Sequence, residues 1–429
     1  MDLRYIVLII FGLIYGFFIV SAHHRAKAMW IGIGLMVILG YLFQDERLYV
    51  QTLFVNVNWN VLGVLMGAML IADLFIESRV PVLLADLIAD RCKTAHMAML
   101  GVCALSGAIS MVADNVTTVL LVSPVALAIT RRTGLNPVAL LIGIAISANL
   151  QGAATLIGDP PSMLLAGHFR MGFNDFFIYQ GRPSIFFAIQ AGAVFGLLVL
   201  WTIFRRHKHC MEPVPVERPK TWVPVGFIAV MIAFLASSSH WDPGFVWLAG
   251  TGNIILGAVA LLWAVQHDRV SAWQTVKRYE YPTIAFLTGI FVLAYTMNAF
   301  GWVKAIGDLI SGLVGNNQFL AYTIIVWVSV IISAFVDNIA YVAVMLPVTQ
   351  VLSQTIGGHS FLYAAGLLIG ACLGGNITPI GASCNVVAMG MLRREGHAVS
   401  FWQFAKVGLP FTLAATTAGY VFIWLFWGT

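Results

Sequence analysis

ADNVTTVLLVSP (residues 113–124) and ISANLQGAATLIGDPPSMLLAG (residues 146–167) return later in the chain as VDNIAYVAVMLP (336–347) and IGACLGGNITPIGASCNVVAMG (369–390). Asp337 follows Asp114 by 223 residues, and Thr378 follows Thr155, Gly381 follows Gly158 and Gly390 follows Gly167 by that same interval. Each copy interrupts strongly apolar sequence with an Asp-Asn pair and a Gly/Pro-rich stretch. Interruptions at matching places in two halves of a membrane chain point to a transporter's binding site.

The surrounding sequence is of membrane grade. Of 429 residues, 60% are hydrophobic and only 10% charged, with a mean hydropathy of +0.90. Soluble domains carry roughly 25% charged residues. Apolar runs long enough to cross a bilayer as helices recur throughout, and the ten-residue alternating segments of a membrane barrel do not occur. The net charge of +5 lies in loops, where it reports topology and not a nucleic-acid surface. The five cysteines form no CxxC pair and read as buried thiols. Residues 5–20 followed by Val20-Ser21-Ala22 have the outline of a signal peptide. The length of the run, Asp2, and a repeat partner near residues 226–239 favour a retained first span.

The expected spans are 4–21, 28–43, 59–77, a pair at 97–113 and 116–130, 137–168 and 184–204. The second half gives 223–239, 244–265, 282–299, a pair at 319–335 and 339–355, 361–392 and 407–427. Each pair is joined only by its Asp-Asn motif, so it reads as a re-entrant hairpin (97–130 and 319–355). Residues 137–168 and 361–392 read as broken helices. With the N-terminus outside, only Arg4, Arg47, Arg170, Arg182 and Lys304 of the 23 Lys and Arg residues face outward, as the positive-inside rule prefers. Both termini are then expected on the non-cytoplasmic side. Five crossings and a hairpin per half invert the second copy. The expected fold is an all-α polytopic membrane protein of two inverted-topology repeats, 1–208 and 223–429, each with five spans (one broken) and a re-entrant hairpin. A Pro-rich cytoplasmic linker at 209–222 separates them.

The chemistry follows from the interruptions. Unwound backbone at membrane depth persists only where it is buried in protein or lines a wet cavity, and its freed carbonyls can coordinate a cation. An ionisable residue within a membrane segment is a functional-site candidate by default. Asp114-Asn115 and Asp337-Asn338 offer carboxylate and amide oxygens suited to Na⁺, and the carboxylates are equally candidate proton carriers. Each Asp could instead simply cap the second helix of its hairpin. Asp159, before Pro160-Pro161, is either an N-cap or a ligand. Thr155, Gly158, Thr378 and Gly381 occupy equivalent places in the two breaks, with Asn149 and Asn385 close by. Asp73 lies in the span 59–77 without an acidic counterpart, and His168 follows the first broken helix. No Arg or Lys is expected near either motif, which favours a cation, a neutral solute, or an anion accompanied by cations. No cofactor is expected beyond Na⁺ or H⁺ as coupling ion.

DNVTTVLLVSP followed by NLQGAATLIGDPPS resembles the ion-transporter superfamily, which includes arsenite permeases, NhaD-type sodium/proton antiporters, the melanocyte P-protein and, more distantly, citrate and dicarboxylate carriers. The likeness covers most of the chain. The resemblance implies a hairpin and a broken helix in each half, with substrate and coupling ions bound between them. It implies binding roles for Asp114, Asn115, Thr155, Gly158 and Asp159, and for Asp337, Asn338, Thr378 and Gly381. The Asp-Asn tips resemble the antiporter, arsenite and P-protein branch more than the dicarboxylate branch, whose tips carry Ser-Asn-Thr. Gln151 and Ser162 depart from the family's Gly and Asn. Relatives of this kind are often dimers, so a homodimer is an expectation of the resemblance. The reading is a sodium/proton antiporter, with a permease for arsenite or a small organic anion as the alternative. An enzyme is not expected, since neither GxSxG nor HExxH occurs, and paired broken helices favour a carrier over a passive channel.

Overall fold

The structure is a computed structural model that describes residues 2–20, 25–207, 218–267 and 279–428. Its first half contains α1 (Leu3–Val20), α2 (Arg25–Phe43), α3 (Val50–Val55), α4 (Trp59–Glu77), α5 (Val80–Arg91), α6 (Ala95–Ser110), α7 (Asn115–Thr133), α8 (Val138–Gly152), α9 (Pro160–Phe169) and α10 (Ile185–Phe204). The second contains α11 (Val223–Trp241), α12 (Leu248–His267), α13 (Tyr281–Ala299), α14 (Trp302–Val314), α15 (Gln318–Ser333), α16 (Asn338–Ile356), α17 (Ser360–Gly374), α18 (Ser383–Arg394) and α19 (Phe401–Trp427). A two-residue antiparallel ribbon, Ile178–Tyr179 with Arg182–Pro183, precedes α10. Nine helices among the described residues are long and apolar enough to cross a membrane. The chain is an almost entirely helical, multi-pass membrane protein.

The interval of 223 residues runs through the secondary structure. It carries the bounds of α6 onto those of α15, and those of α7 onto those of α16, without a residue of slippage. The halves of each broken helix correspond to within two residues, α8 with α17 and α9 with α18. The equivalent helices α10 and α19 meet and run antiparallel. Gly192 and Gly196 of α10 pack against Ala415 and Phe411 of α19, while Gly419 approaches Ala188. Positions ascending on one helix thus meet positions descending on its copy. Antiparallel packing of an equivalent pair is what inverted repeats require. Between the halves, α4 and α12 pack backbone to backbone: a Cβ on Gly63 would lie 2.8 Å from the Cα of Gly250. Such contact through small residues is how helices associate tightly in lipid.

Each hairpin is stitched to its broken helix by the same bonds. Thr155 Oγ1 donates to Met111 O at 2.5 Å, and the equivalent Thr378 Oγ1 donates to Ala334 O at 2.6 Å. Ser106 Oγ also donates to Ile144 O, and at a different register of the second half Ser333 Oγ donates to Ala371 O. Gly158 and Gly381 allow this closeness. A Cβ on Gly158 would lie 2.4 Å from Gly152 O and 2.7 Å from Ser110 O; on Gly381 it would lie 2.6 Å from Gly375 O and 2.9 Å from Ala334 O. Proline at the start of α9 and the Gly374-Gly375 pair with Pro379 in the second half stop the helices on either side of the breaks.

The helices α5 and α14 were not among the expected spans. They occupy equivalent places, residues 80–91 and 302–314, and are too short and too charged to read as crossings. The expected linker falls mostly on residues 208–217, outside the described residues, as do Lys208, Arg269, Lys277 and Arg278 among the basic residues used for orientation. Cys103, Cys372 and Cys384 are buried free thiols and Cys92 is half-buried; Cys210 lies outside the described residues.

Candidate functional site

Both hairpin tips and the first break converge on one cavity of about 250 Å³. Its lining includes Asp114, Asn115, Asn149, Gly158, Asp159, Asp337 and Asn338. Seven of the eleven expected site residues therefore share a single space. Thr155, Thr378, Gly381 and Asn385 are outside that lining. The threonine hydroxyls are spent on hairpin carbonyls as described, and Asn385 Nδ2 donates to Gly375 O at 2.9 Å and Thr378 O at 3.0 Å. Ser162, its equivalent, donates to Ala153 O at 3.1 Å. These side chains hold the breaks in shape and leave the cavity to others.

The two tip aspartates act as helix caps in addition to facing the cavity. Asp114 Oδ2 accepts from Thr117 N at 3.0 Å and from Thr117 Oγ1 at 3.1 Å. Asp337 Oδ1 accepts from Ile339 N and Ala340 N at 3.1 and 3.3 Å. Capping fixes each carboxylate at the positive end of its helix. Asp159 behaves differently. It stands at the N-cap position of α9 but makes no capping bond. The residue is 6% exposed, and its Oδ2 has no hydrogen-bond partner among the described residues. A buried carboxylate oxygen left without a donor is costly, and here it borders the cavity, where a cation or a proton can satisfy it.

Behind the tips runs a chain of buried amides. Ser110 Oγ donates to Asn115 Oδ1 at 2.5 Å, and Asn115 Nδ2 donates to Asn149 Oδ1 at 3.3 Å. Asn149 Nδ2 in turn donates across to the other half, to Cys372 O at 2.8 Å and Asn376 Oδ1 at 2.9 Å. Asn376 returns the contact by donating to Ile146 O. Position 372 is the repeat equivalent of 149, so the halves cross at Asn149. Sequence reasoning placed Asn149 near the first break but did not see this bridge, since it joins residues of opposite halves. Gln151, the departure from the family's glycine, turns away and pairs reciprocally with Gln190 at 3.0 and 2.8 Å.

One expectation is overturned. Arg25, the first residue of α2, lines the cavity, and its Nη1 donates to Asp337 Oδ2 in an ion pair. Its guanidinium also lies over the ring of Phe286, 4.5 Å from the centroid. Sequence reasoning assigned Arg25 to a loop because it follows the polar run Ser21-Ala22-His23-His24. The helix begins at Arg25, and the long side chain reaches from the helix end to the tip of the opposite hairpin. Two further carboxylates were not assigned to the site, Asp73 on α4 and Glu280 just before α13. Asp73 was visible as an acid within a span. Glu280 had no sequence signal. Among the described residues, five carboxylates (Asp73, Asp114, Asp159, Glu280, Asp337) thus face one guanidinium across the cavity.

A second cavity, of about 380 Å³, lies along the far parts of α9, α13 and α16 and is lined by Asn58, His168, Tyr295, Asn298, Gln350 and Gln354 among others. Asn58, Tyr295, Asn298, Gln350 and Gln354 carry no charge near neutral pH.

A family model described as citrate transporter matches residues 6–367. Two transporters of Mycobacterium tuberculosis are similar: one is 29% identical over 91% of each chain, and the other 30% identical over 86% of each chain. The mouse P protein is 27% identical over 96% of this chain and 59% of its own length. Among solved structures, the YdaH transporter of Alcanivorax borkumensis superposes with a TM-score of 0.63 at 14% identity, covering 99% of this chain and 98% of that one. MtrF of Neisseria gonorrhoeae, described as representing a class of antimetabolite efflux pumps, gives a TM-score of 0.56 at 15% identity over 100% and 96% of the two chains. At such identities these two structures speak for the fold alone.

Proposed function

From the premise that the chain belongs to the citrate transporter family and is a secondary transporter, we propose that it exchanges Na⁺ for protons by alternating access. The observation that carries this reading is the unpartnered Oδ2 of Asp159 in a cavity where, among the described residues, five acids face one base. Such a field concentrates cations and disfavours a lone anion. Carboxylate and amide oxygens of Asp114, Asn115 and Asp159 supply hard ligands that replace the hydration shell of Na⁺, and Asp337 and Asn338 face them across the cavity. A carboxylate binds either Na⁺ or a proton, so competition for one site couples the two fluxes. The inverted halves supply two related arrangements of the hairpins around the breaks, opening the site first to one side and then to the other. In this reading the hairpins re-enter the membrane and both termini face the non-cytoplasmic side.

Arg25 favours a second reading, a permease for a small organic anion or arsenite, because a guanidinium is a fitted partner for carboxylates. There, the same acids would hold coupling ions beside the substrate. In proteoliposomes, Asp114→Ala and Asp337→Ala should each abolish Na⁺-driven proton flux while the protein still inserts. Flux retained in both variants would refute the exchange mechanism.

A further inference from the structure

We infer that Arg25 is a built-in substitute for a second cation, so that of the two equivalent tip aspartates only Asp114 belongs to the exchangeable site. This rests on the cation-exchange reading and adds to it a reason for a single ion site in a twofold-repeated framework. Asp114 and Asp337 stand at equivalent positions, both cap their helices, and both face the same cavity. A symmetric site would bind two cations. Between the two tip aspartates the symmetry is broken by their partners. Arg25 pairs with Asp337, whereas the residue one repeat later, which would stand in the same relation to Asp114, is Leu248. Among the described residues Asp114 has no ion pair.

The guanidinium is held for this role. It is seated on the Phe286 ring while its Nη1 reaches Asp337 Oδ2, and the tip it reaches is further fixed by Tyr15, whose hydroxyl donates to Ala340 O at 2.6 Å. Arginine stays protonated in proteins. Asp337 is therefore neutralised without drawing an ion from solution, and the remaining acids at the first tip, Asp114 with Asp159, are left to the exchangeable cation. Asp73 and Glu280 border the cavity on the side of α4 and α13 and add to its negative field.

The same geometry makes Asp337 and Arg25 interdependent. Removing Asp337 alone leaves a bare guanidinium in the cavity, where it repels any cation at Asp114. Unit charges about 6 Å apart at an effective dielectric of about 20 interact strongly enough to weaken binding roughly tenfold to a hundredfold. Removing Arg25 as well takes that repulsion away.

The test is equilibrium binding of radioactive Na⁺ to the purified full-length chain in detergent, for wild type, Asp337→Ala, the double variant Arg25→Leu/Asp337→Ala, and Arg25→Leu. Wild type should bind one Na⁺ per chain. Asp337→Ala should bind at least roughly tenfold more weakly. The double variant, which lacks the same cap as Asp337→Ala, should recover to within about threefold of wild type. Arg25→Leu should bind a second Na⁺. Should that single variant fail to fold with Asp337 left unpartnered, the comparison of Asp337→Ala with the double variant still decides. A double variant as weak as Asp337→Ala, or an Asp337→Ala that binds like wild type, overturns the inference while leaving sodium exchange standing. A wild-type chain that binds no Na⁺ overturns both.

Discussion

Replacing Gly158 with alanine should damage transport more than it damages stability. The new methyl would lie 2.4 Å from Gly152 O, 2.7 Å from Ser110 O and 3.0 Å from Gly152 Cα. All three atoms are backbone, so no side chain can rotate away. Ordinary carbon–oxygen contact would require the break to move from its neighbours by several tenths of an ångström. Overpacking of this kind costs about 1–3 kcal/mol, offset by about 0.4–1 kcal/mol from the stiffer unfolded chain. A net loss of about 1–2 kcal/mol is expected. The displaced partners, however, are the end of α8 and the end of α6, which set Asp159 against Asn115 and Asp114. Gly381→Ala should behave alike, since its methyl meets Gly375 O at 2.6 Å and Ala334 O at 2.9 Å. Gly312→Ala on α14, with nothing within 4 Å, is the control and should be neutral or stabilising. Thermal stability in detergent and flux in proteoliposomes should be measured on the same preparations. Wild-type flux and stability in Gly158→Ala and Gly381→Ala would refute the idea that the closeness of break and hairpin shapes the site.

Three further outcomes are expected. Thr155→Val and Thr378→Val should each cost about 1 kcal/mol, by losing an equivalent hydrogen bond to a hairpin carbonyl; a marked difference in their unfolding temperatures would contradict the equal roles assigned to them. Asn149→Ala should cost about 2–3 kcal/mol, because it strands Asn376 and Asn115 in the buried chain, and flux should fall with it; an unfolding temperature equal to wild type would contradict the bridge. His359, outside the spans, is held below its ordinary pKa by burial and by Arg182. Its Nδ1 accepts from Phe361 N at 3.1 Å, so Nε2 carries the proton donated to Gln180 Oε1 at 2.9 Å. The unfolded chain takes up a proton at this histidine before the folded one does, so its contribution is fully present above about pH 6.5 and is lost as pH falls toward the lowered value. His359→Asn should flatten that part of the pH–stability curve, measured between pH 7.5 and pH 5.5; an unchanged slope would show that the cap does not titrate as described.

The legible parts of this molecule are those written in consecutive residues. The two breaks are encoded by Gly, Pro and Asp at close spacing, and the hairpins by a polar pair between apolar runs. The interval of 223 residues carried both patterns into the second half. What stayed hidden depends on distance in the chain. Asn149 and Asn376 meet only because the halves cross there, and nothing local marks either as a bridge. Arg25 sits just after a polar run, so its neighbours hide that a helix starts with it and that its side chain reaches Asp337. Glu280 gains its place at the cavity from the packing of α13. The threonines Thr155 and Thr378 were correctly paired as equivalents, but a hydroxyl at a break can serve a ligand or a neighbouring carbonyl, and only the folded geometry distinguishes the two. The helices α5 and α14 were missed because their short, charged sequences carry no transmembrane signature.

The measurement that bears most directly on the account is flux in proteoliposomes carrying an internal pH dye, with Na⁺, Li⁺, arsenite or citrate added one at a time. The account predicts a pH change driven by Na⁺ or Li⁺ alone and absent in Asp114→Ala. Silence toward both cations, with a response to citrate or arsenite, would contradict it and assign the cavity to an anion carried beside its coupling ions.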